Sequence, residues 1–194
     1  FFMKVIQLHQ EEKQLILLAV ENNRQAQQQI YAKFSSKMLS VCRQYIKDIH
    51  HAEDVMITGF MKVFTNLKNF EHKGSFEGWI RRIMVYECID FLRVKKNNFN
   101  HQDIDDVTVS ENESVYEMED FSVDDIQNMI DNLPDGYKMV FNLYAIEGYK
   151  HQEIAEMLKI SEGTSKSQLS HARKLLQQQI TDLKNKLNDI ATIR

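Results

Sequence analysis

The chain has 194 residues, 43% hydrophobic and 27% charged, which suits one large folded domain or two small ones and excludes a disordered or fibrous protein. With only 6 Gly and 1 Pro, and with abundant Leu, Ile, Lys, Gln and Glu, it favours an all-helical fold over a sandwich or barrel. The net charge of −4 is unevenly spread: residues 1–96 balance at +5, residues 97–120 hold 8 acids and no Lys or Arg, and residues 121–194 balance at −1.

Glu11 to about Ile49 is helical in pattern. Leu15, Leu18 and Ala19 recur at helical spacing, and Ile30, Phe34, Met38, Val41 and Tyr45 continue the period after a polar stretch. No stretch approaches the roughly 20 apolar residues of a membrane span. The opening Phe1-Phe2-Met3-Lys4 lacks the apolar run and small-residue cleavage site of a signal peptide, so a cytoplasmic protein without membrane insertion is expected. Cys42 and Cys88 are too few for a disulfide framework and suit buried, reduced thiols.

Ala52 to Leu67 predicts a further helix, with Val55, Phe60, Val63 and Phe64 on or near one face. Lys68 to Ser75, containing Asn69 and Gly74, reads as a loop, and Ser75 is placed to cap the next helix. That helix runs from Phe76 to about Lys96 and mixes aromatics with Arg81, Arg82 and Arg93. Exposed aromatics beside cations can hold unpaired bases by stacking while the cations track the backbone. The preceding loop adds Phe70, Lys73 and Ser75, where an extruded base could be received. The plainer readings stand beside this one: Trp79, at helical spacing from Ile83, fits a core, and the arginines fit a solvated face.

Residues 97–120 show no sustained period and read as an acidic, flexible linker. Ser122 followed by Asp125 marks the next helix start, with Ile126, Met129, Ile130 and Leu133 as its apolar stripe. Leu133-Pro134-Asp135-Gly136 ends that helix, and Tyr137 to Ile146 forms another, closed by Gly148.

Residues 149–176 carry the most specific local signal. Ile154, Ala155 and Leu158 line one face of a short helix, Ala155 being small enough for a tight crossing. Lys159-Ile160 turns the chain, and Ser161 caps a second helix whose core face is Ser165, Leu169, Ala172 and Leu176. The opposite face presents Lys166, Ser167, Ser170, His171, Arg173 and Lys174, with Thr164 near the helix start. Such a helix fits the major groove, where side chains near its start reach base edges and flanking cations hold phosphates. An ordinary amphipathic hairpin would share the periodicity but has no need for the small residue, the turn and the cap to fall in register.

Together these segments resemble the extracytoplasmic-function sigma factors over roughly residues 20–180. Ala52-Glu53-Asp54-Val55 with Phe60-Met61-Lys62-Val63-Phe64 is similar to the family helix that docks on RNA polymerase. Phe76, Trp79, Arg82, Ile83, Ile89, Asp90 and Arg93 match the helix that melts and reads the −10 element. Leu133-Pro134, Phe141, Glu147-Gly148, Glu153-Ile154-Ala155, Gly163-Thr164, Lys166-Ser167 and Ala172-Arg173 match the domain that reads the −35 element.

The resemblance implies an all-α protein of two helical domains: residues 11–96 for polymerase binding, −10 recognition and melting, and residues 121–185 as a four-helix unit with the helix-turn-helix. It implies −35 contacts from Thr164, Lys166, Ser167, Ser170, His171, Arg173 and Lys174. It also implies −10 contacts from Phe70, Lys73, Ser75, Trp79, Arg82 and Tyr86, and polymerase contacts from Asp54, Ile57, Thr58 and Met61. Core RNA polymerase, promoter DNA and an anti-sigma factor are the expected partners. The acidic linker could thread toward the polymerase active-site channel or serve only as a spacer.

The departures from the family pattern fall at functional positions. Ile57-Thr58 stands where Gln-Glu is frequent, Tyr86 where Asn is common, and Gln168 and His171 where Arg is common. A helix-turn-helix regulator acting without replacing a sigma factor is the alternative, though such a protein lacks the aromatic-basic helix of residues 76–96. An enzyme is not expected. His151-Gln152-Glu153 lacks zinc-protease spacing, His50-His51 and Cys42 make no metal set, and no glycine-rich phosphate loop exists. No cofactor, metal or small-molecule substrate is therefore expected.

Overall fold

The computed structural model describes the backbone of residues 2–98 and 122–192, with side chains described over residues 11–94 and 122–185. The expected linker, apart from its first two residues, lies outside the described residues. All regular structure among the described residues is helical, and the chain divides into two compact units, Phe1–Val94 and Lys95–Arg194. None of these helices is long and apolar enough to cross a membrane.

The first unit comprises α1 (Phe2–Val20), α2 (Arg24–Tyr45), α3 (Ile49–Asn66), a single 3₁₀ turn (Leu67–Asn69) and α4 (Phe76–Asn98). The single helical pattern expected from Glu11 to Ile49 is in fact two helices. Asn22 takes the left-handed conformation at φ 61°, and the N–H groups of Asn22 and Asn23 donate to the carbonyls of Ala19 and Leu18, each at 3.1 Å. This closes α1 in a Schellman arrangement. The Asn23 side chain then caps α2 by accepting from the Ala26 N–H at 3.1 Å. Asn is the non-glycine residue best suited to both tasks, so the polar pair breaks the helix without interrupting the apolar period.

Asp48 caps α3 in the same way, accepting from the His51 N–H at 3.0 Å, so α3 begins three residues before the expected Ala52. Its inner face buries Ala52, Val55, Met56, Phe60 and Val63 against α2, whose Ile30, Phe34, Met38 and Val41 are buried in turn. Each such Val, Ile, Phe or Met side chain contributes about 1.5–3 kcal/mol on burial. Gly59 allows α3 to approach α4 closely, because a Cβ there would collide with the buried Met84 sulfur.

The second unit is a four-helix arrangement of α5 (Val123–Asp131), α6 (Asp135–Phe141), α7 (His151–Leu158) and α8 (Glu162–Thr192). Ser122 and Asp125 form the expected capping box at the start of α5, with reciprocal bonds of 3.1 Å. The helix expected over Tyr137–Ile146 starts earlier, at Asp135, because Pro134 suits a helix entrance. It widens into one π-helical turn over Asn142–Ile146, where the Glu147 N–H donates to the Asn142 carbonyl at 3.0 Å. Gly148, at φ 76°, then redirects the chain as expected. Buried Val140, Leu143, Ile154, Leu169 and Ala172 form the core of this unit, in which α8 packs on α5, α6 and α7.

Candidate nucleic-acid interface

Helices α7 and α8 form the crossed pair expected from residues 149–176. On α8, Ser165, Leu169 and Ala172 are buried at 0%, 4% and 0% exposure, while Lys166, Ser167, Ser170 and Arg173 lie exposed on the same helix. Thr164, His171 and Lys174 are half-buried at the margin of that outer face. On α7, Ile154 is fully buried, whereas Ala155 and Leu158 are only half-buried and Met157 takes the second inner place.

The turn between them rests on Lys159, which is left-handed at φ 56° and ψ 46°. The Ile160 N–H donates to the Ala155 carbonyl at 3.1 Å, and Ile160 is half-buried. Ser161 caps α8 as expected, its Oγ accepting from the Thr164 N–H at 2.9 Å. The Thr164 hydroxyl also meets Ser161 Oγ, at 2.8 Å, so the cap holds the N–H and the hydroxyl of Thr164.

Contacts from outside α8 anchor and furnish this face. Buried Ser165 Oγ lies 2.9 Å from His151 Nδ1 of α7, tying the two helices together. His151 stacks on Tyr144 with centroids 4.6 Å apart, and the Arg173 guanidinium lies 5.7 Å from the same tyrosine ring. Tyr137 of α6 stacks on His171 at 5.5 Å and 19°. Lys166 Nζ bonds Glu162 at 2.6 Å. That hydrogen bond, helped by the charge of Lys166, holds the Glu162 carboxyl below its usual range.

The sequence reasoning missed Tyr137, Tyr144, His151 and Glu162 as members of this surface. Glu162 stands four residues before Lys166, an orientation that favours an ion pair, so its role was readable. The aromatic and imidazole contacts come from other elements and left no periodic signal.

In the first unit, Phe70, Phe76 and Trp79 form one aromatic cluster, with Phe70 to Trp79 at 5.4 Å and Phe76 stacked on Trp79 at 5.9 Å and 15°. Phe70 is buried and Trp79 half-buried, so these rings contribute to the core as well as to the surface. Ser75 caps α4, its Oγ accepting from the Gly78 N–H at 3.0 Å. In the preceding loop His72 and Gly74 both have positive φ, and Lys73 pairs with Glu71 at 2.7 Å. On α4 the Arg82 guanidinium sits 5.9 Å from the ring of Tyr86, which is 37% exposed.

Asp54, Ile57, Thr58 and Met61 share one exposed side of α3, opposite its buried face. Ile57 is 49% and Met61 65% exposed, leaving apolar surface on an otherwise polar stripe. Among the described residues, no group of three or more His, Cys, Asp or Glu could hold a metal ion.

Comparison with known proteins extends this picture. Residues 30–98 match the profile described as Sigma-70 region 2, and residues 123–176 match Sigma-70, region 4. The chain is 29% identical over 163 residues to the ECF RNA polymerase sigma factor SigW of Bacillus subtilis, taking in 77% of this chain and 86% of that protein. It is 23% identical over 187 residues to the ECF RNA polymerase sigma-E factor of Haemophilus influenzae, taking in 89% and 96%.

Among solved structures it is similar in fold to the sigma factor RpoE of Bartonella quintana, crystallised with the anti-sigma factor NepR. The TM-score is 0.52 at 18% identity, over 79% of this chain and 96% of that one. Region 2 therefore precedes region 4 along the chain. The chain belongs to the extracytoplasmic-function sigma factors, small two-domain factors of transcription initiation.

Proposed function

We propose that the outer face of α8, with Thr164, Lys166, Ser167, Ser170, His171, Arg173 and Lys174, binds the −35 element in the major groove. In this reading Phe70, Lys73, Ser75, Trp79, Arg82 and Tyr86 receive and stabilise the opened −10 element. The exposed stripe Asp54, Ile57, Thr58 and Met61 docks on core RNA polymerase. Residues 11–96 then form the polymerase-binding and melting domain, residues 97–120 the acidic connection, and residues 121–185 the −35 domain. The chain works in the cytoplasm, binding promoter DNA together with core polymerase, and an anti-sigma factor restrains it. It supplies binding and strand opening, while nucleotide addition belongs to the polymerase.

One observation carries this reading. A single helix hides Ser165, Leu169 and Ala172 and turns Lys166, Ser167, Ser170 and Arg173 outward across a tight turn from a shorter helix. This is the arrangement that a groove-reading helix requires.

Reconstitution with core polymerase on a promoter bearing both elements provides the test. Lys166→Ala is expected to lower promoter use on the order of tenfold by loss of −35 contacts, with polymerase affinity intact. An equal loss of polymerase affinity would put the surface in the wrong place.

A further inference from the structure

We propose that His171 reads the −35 duplex as a hydrogen-bond acceptor, through Nε2, and so selects a base with an exocyclic amine, adenine or cytosine, on the strand it faces. The inference rests on the reading of α8 as the groove helix and adds the chemistry of one contact.

The tautomer follows from a single partner. His171 Nδ1 lies 2.7 Å from the backbone carbonyl oxygen of Ser167. A peptide carbonyl has no proton to give, so Nδ1 carries the N–H and donates it. In the neutral ring the lone pair then belongs to Nε2, which can only accept. Nε2 has no partner among the described residues.

The ring is also held in place. Tyr137 of α6 stacks on it with centroids 5.5 Å apart and planes 19° from parallel. The hydrogen bond fixes the ring within its own plane, and the stack fixes the plane itself. The direction of the acceptor is therefore set before DNA arrives, which limits the ordering cost of the contact.

The cations of this face cannot take its place. Lys166 and Arg173, on the same outer face, are donors only. The Ser167 hydroxyl donates to the Thr164 carbonyl at 3.0 Å, which leaves its oxygen as a second acceptor, and the exposed Ser170 hydroxyl can donate or accept; the His171 variants separate the ring from both. The Glu162 carboxylate is engaged by Lys166 at 2.6 Å.

In the major groove adenine N6 and cytosine N4 are donors, whereas guanine N7 and O6 and thymine O4 are acceptors. A fixed acceptor is satisfied by the first pair and opposed, lone pair to lone pair, by the second. One such hydrogen bond supports discrimination of about tenfold.

The test uses the full chain with core polymerase at about pH 8, where imidazoles are generally neutral, on promoters randomised across the −35 element. Transcripts are sequenced for wild type, His171→Arg, His171→Ala and Lys166→Ala. Wild type should favour adenine or cytosine about tenfold over guanine and thymine at one position of one strand. His171→Arg, which only donates, should move that position toward guanine and leave the −10 preferences in place.

A second arm does not depend on the arginine variant folding. Removing the favoured base's amine, with purine for adenine or 2-pyrimidinone for cytosine, should weaken promoter use by wild type and not by His171→Ala. The proposal is overturned if wild type prefers guanine or thymine where His171→Arg acts, or if amine removal affects wild type and His171→Ala alike. If Lys166→Ala changes −35 use while the His171 variants leave every base preference unmoved, the acceptor proposal alone fails. If Lys166→Ala also leaves −35 use unchanged, the groove-helix reading fails and takes the proposal with it.

Discussion

Lys159 holds a left-handed backbone, φ 56°, at the end of α7. A side chain there carries a steric cost on the order of 1 kcal/mol, which glycine avoids. Lys159→Gly is therefore expected to stabilise this unit by about 0.5–1 kcal/mol, read as a raised denaturation midpoint. A lowered midpoint would mean that the lysine side chain makes contacts worth more than the strain. Glu162 poses a different question, because it neutralises Lys166 in the unbound protein. Glu162→Gln should raise promoter affinity several-fold at low salt and lose that advantage at high salt, since exposed charges are screened. No gain at any ionic strength would show that the acid does not compete with phosphate. The lowered Glu162 carboxyl also fixes a sign. Its stabilising contribution is complete above the ordinary value of 4.5 and disappears as the pH falls through the lower folded value.

At the scale of the element, α3 shows how one helix serves two purposes. Its inner residues Ala52, Val55, Met56, Phe60 and Val63 bind it to its own domain, while Ile57 and Met61 stay exposed on the far side. Exposed apolar side chains contribute little to folding, so substitutions there leave stability within about 0.5 kcal/mol. Ile57→Asp with Met61→Asp should then weaken core polymerase binding at least tenfold, with the melting temperature nearly unchanged. Should the pair leave affinity intact, the docking stripe lies elsewhere. The aromatic cluster before α4 behaves differently. Phe70 is buried against Phe76 and Trp79, so its removal mixes loss of function with loss of packing. Arg82 and Tyr86, which are exposed, offer cleaner probes of the same surface.

At the scale of the whole molecule, each unit encloses an apolar core of its own, one around Phe34, Met38, Ile80 and Met84 and one around Val140, Leu143, Ile154 and Leu169. A unit with its own core can fold alone. Fragments spanning residues 1–98 and 122–194 should therefore both be helical by circular dichroism and melt cooperatively. A fragment that is unfolded alone but helical in the full chain would show that the two units depend on each other. The uneven charge of the chain also acts at this scale. The 8 acids of residues 97–120 obscure a first region that balances at +5, so net charge alone misleads about nucleic-acid binding.

Much of the fold was legible because helices declare themselves locally. The apolar period placed α2 to α4, the Ser122–Asp125 pair marked the start of α5, and Ser161 marked that of α8. Boundaries were less legible. The Asn22-Asn23 break falls inside an unbroken apolar period, and the π turn over Asn142–Ile146 follows from how α6 must meet its neighbours. For the candidate site, the sequence by itself determined which side of α8 carries lysine, serine and histidine, because a period of 3.6 residues assigns faces without reference to anything else. Only the tertiary structure decided what those side chains meet: Tyr137 from α6 on His171, Tyr144 beneath Arg173, His151 from α7 on Ser165. These partners lie 14 to 34 positions apart along the chain, and proximity at such separations is created by packing, for which local spacing holds no record.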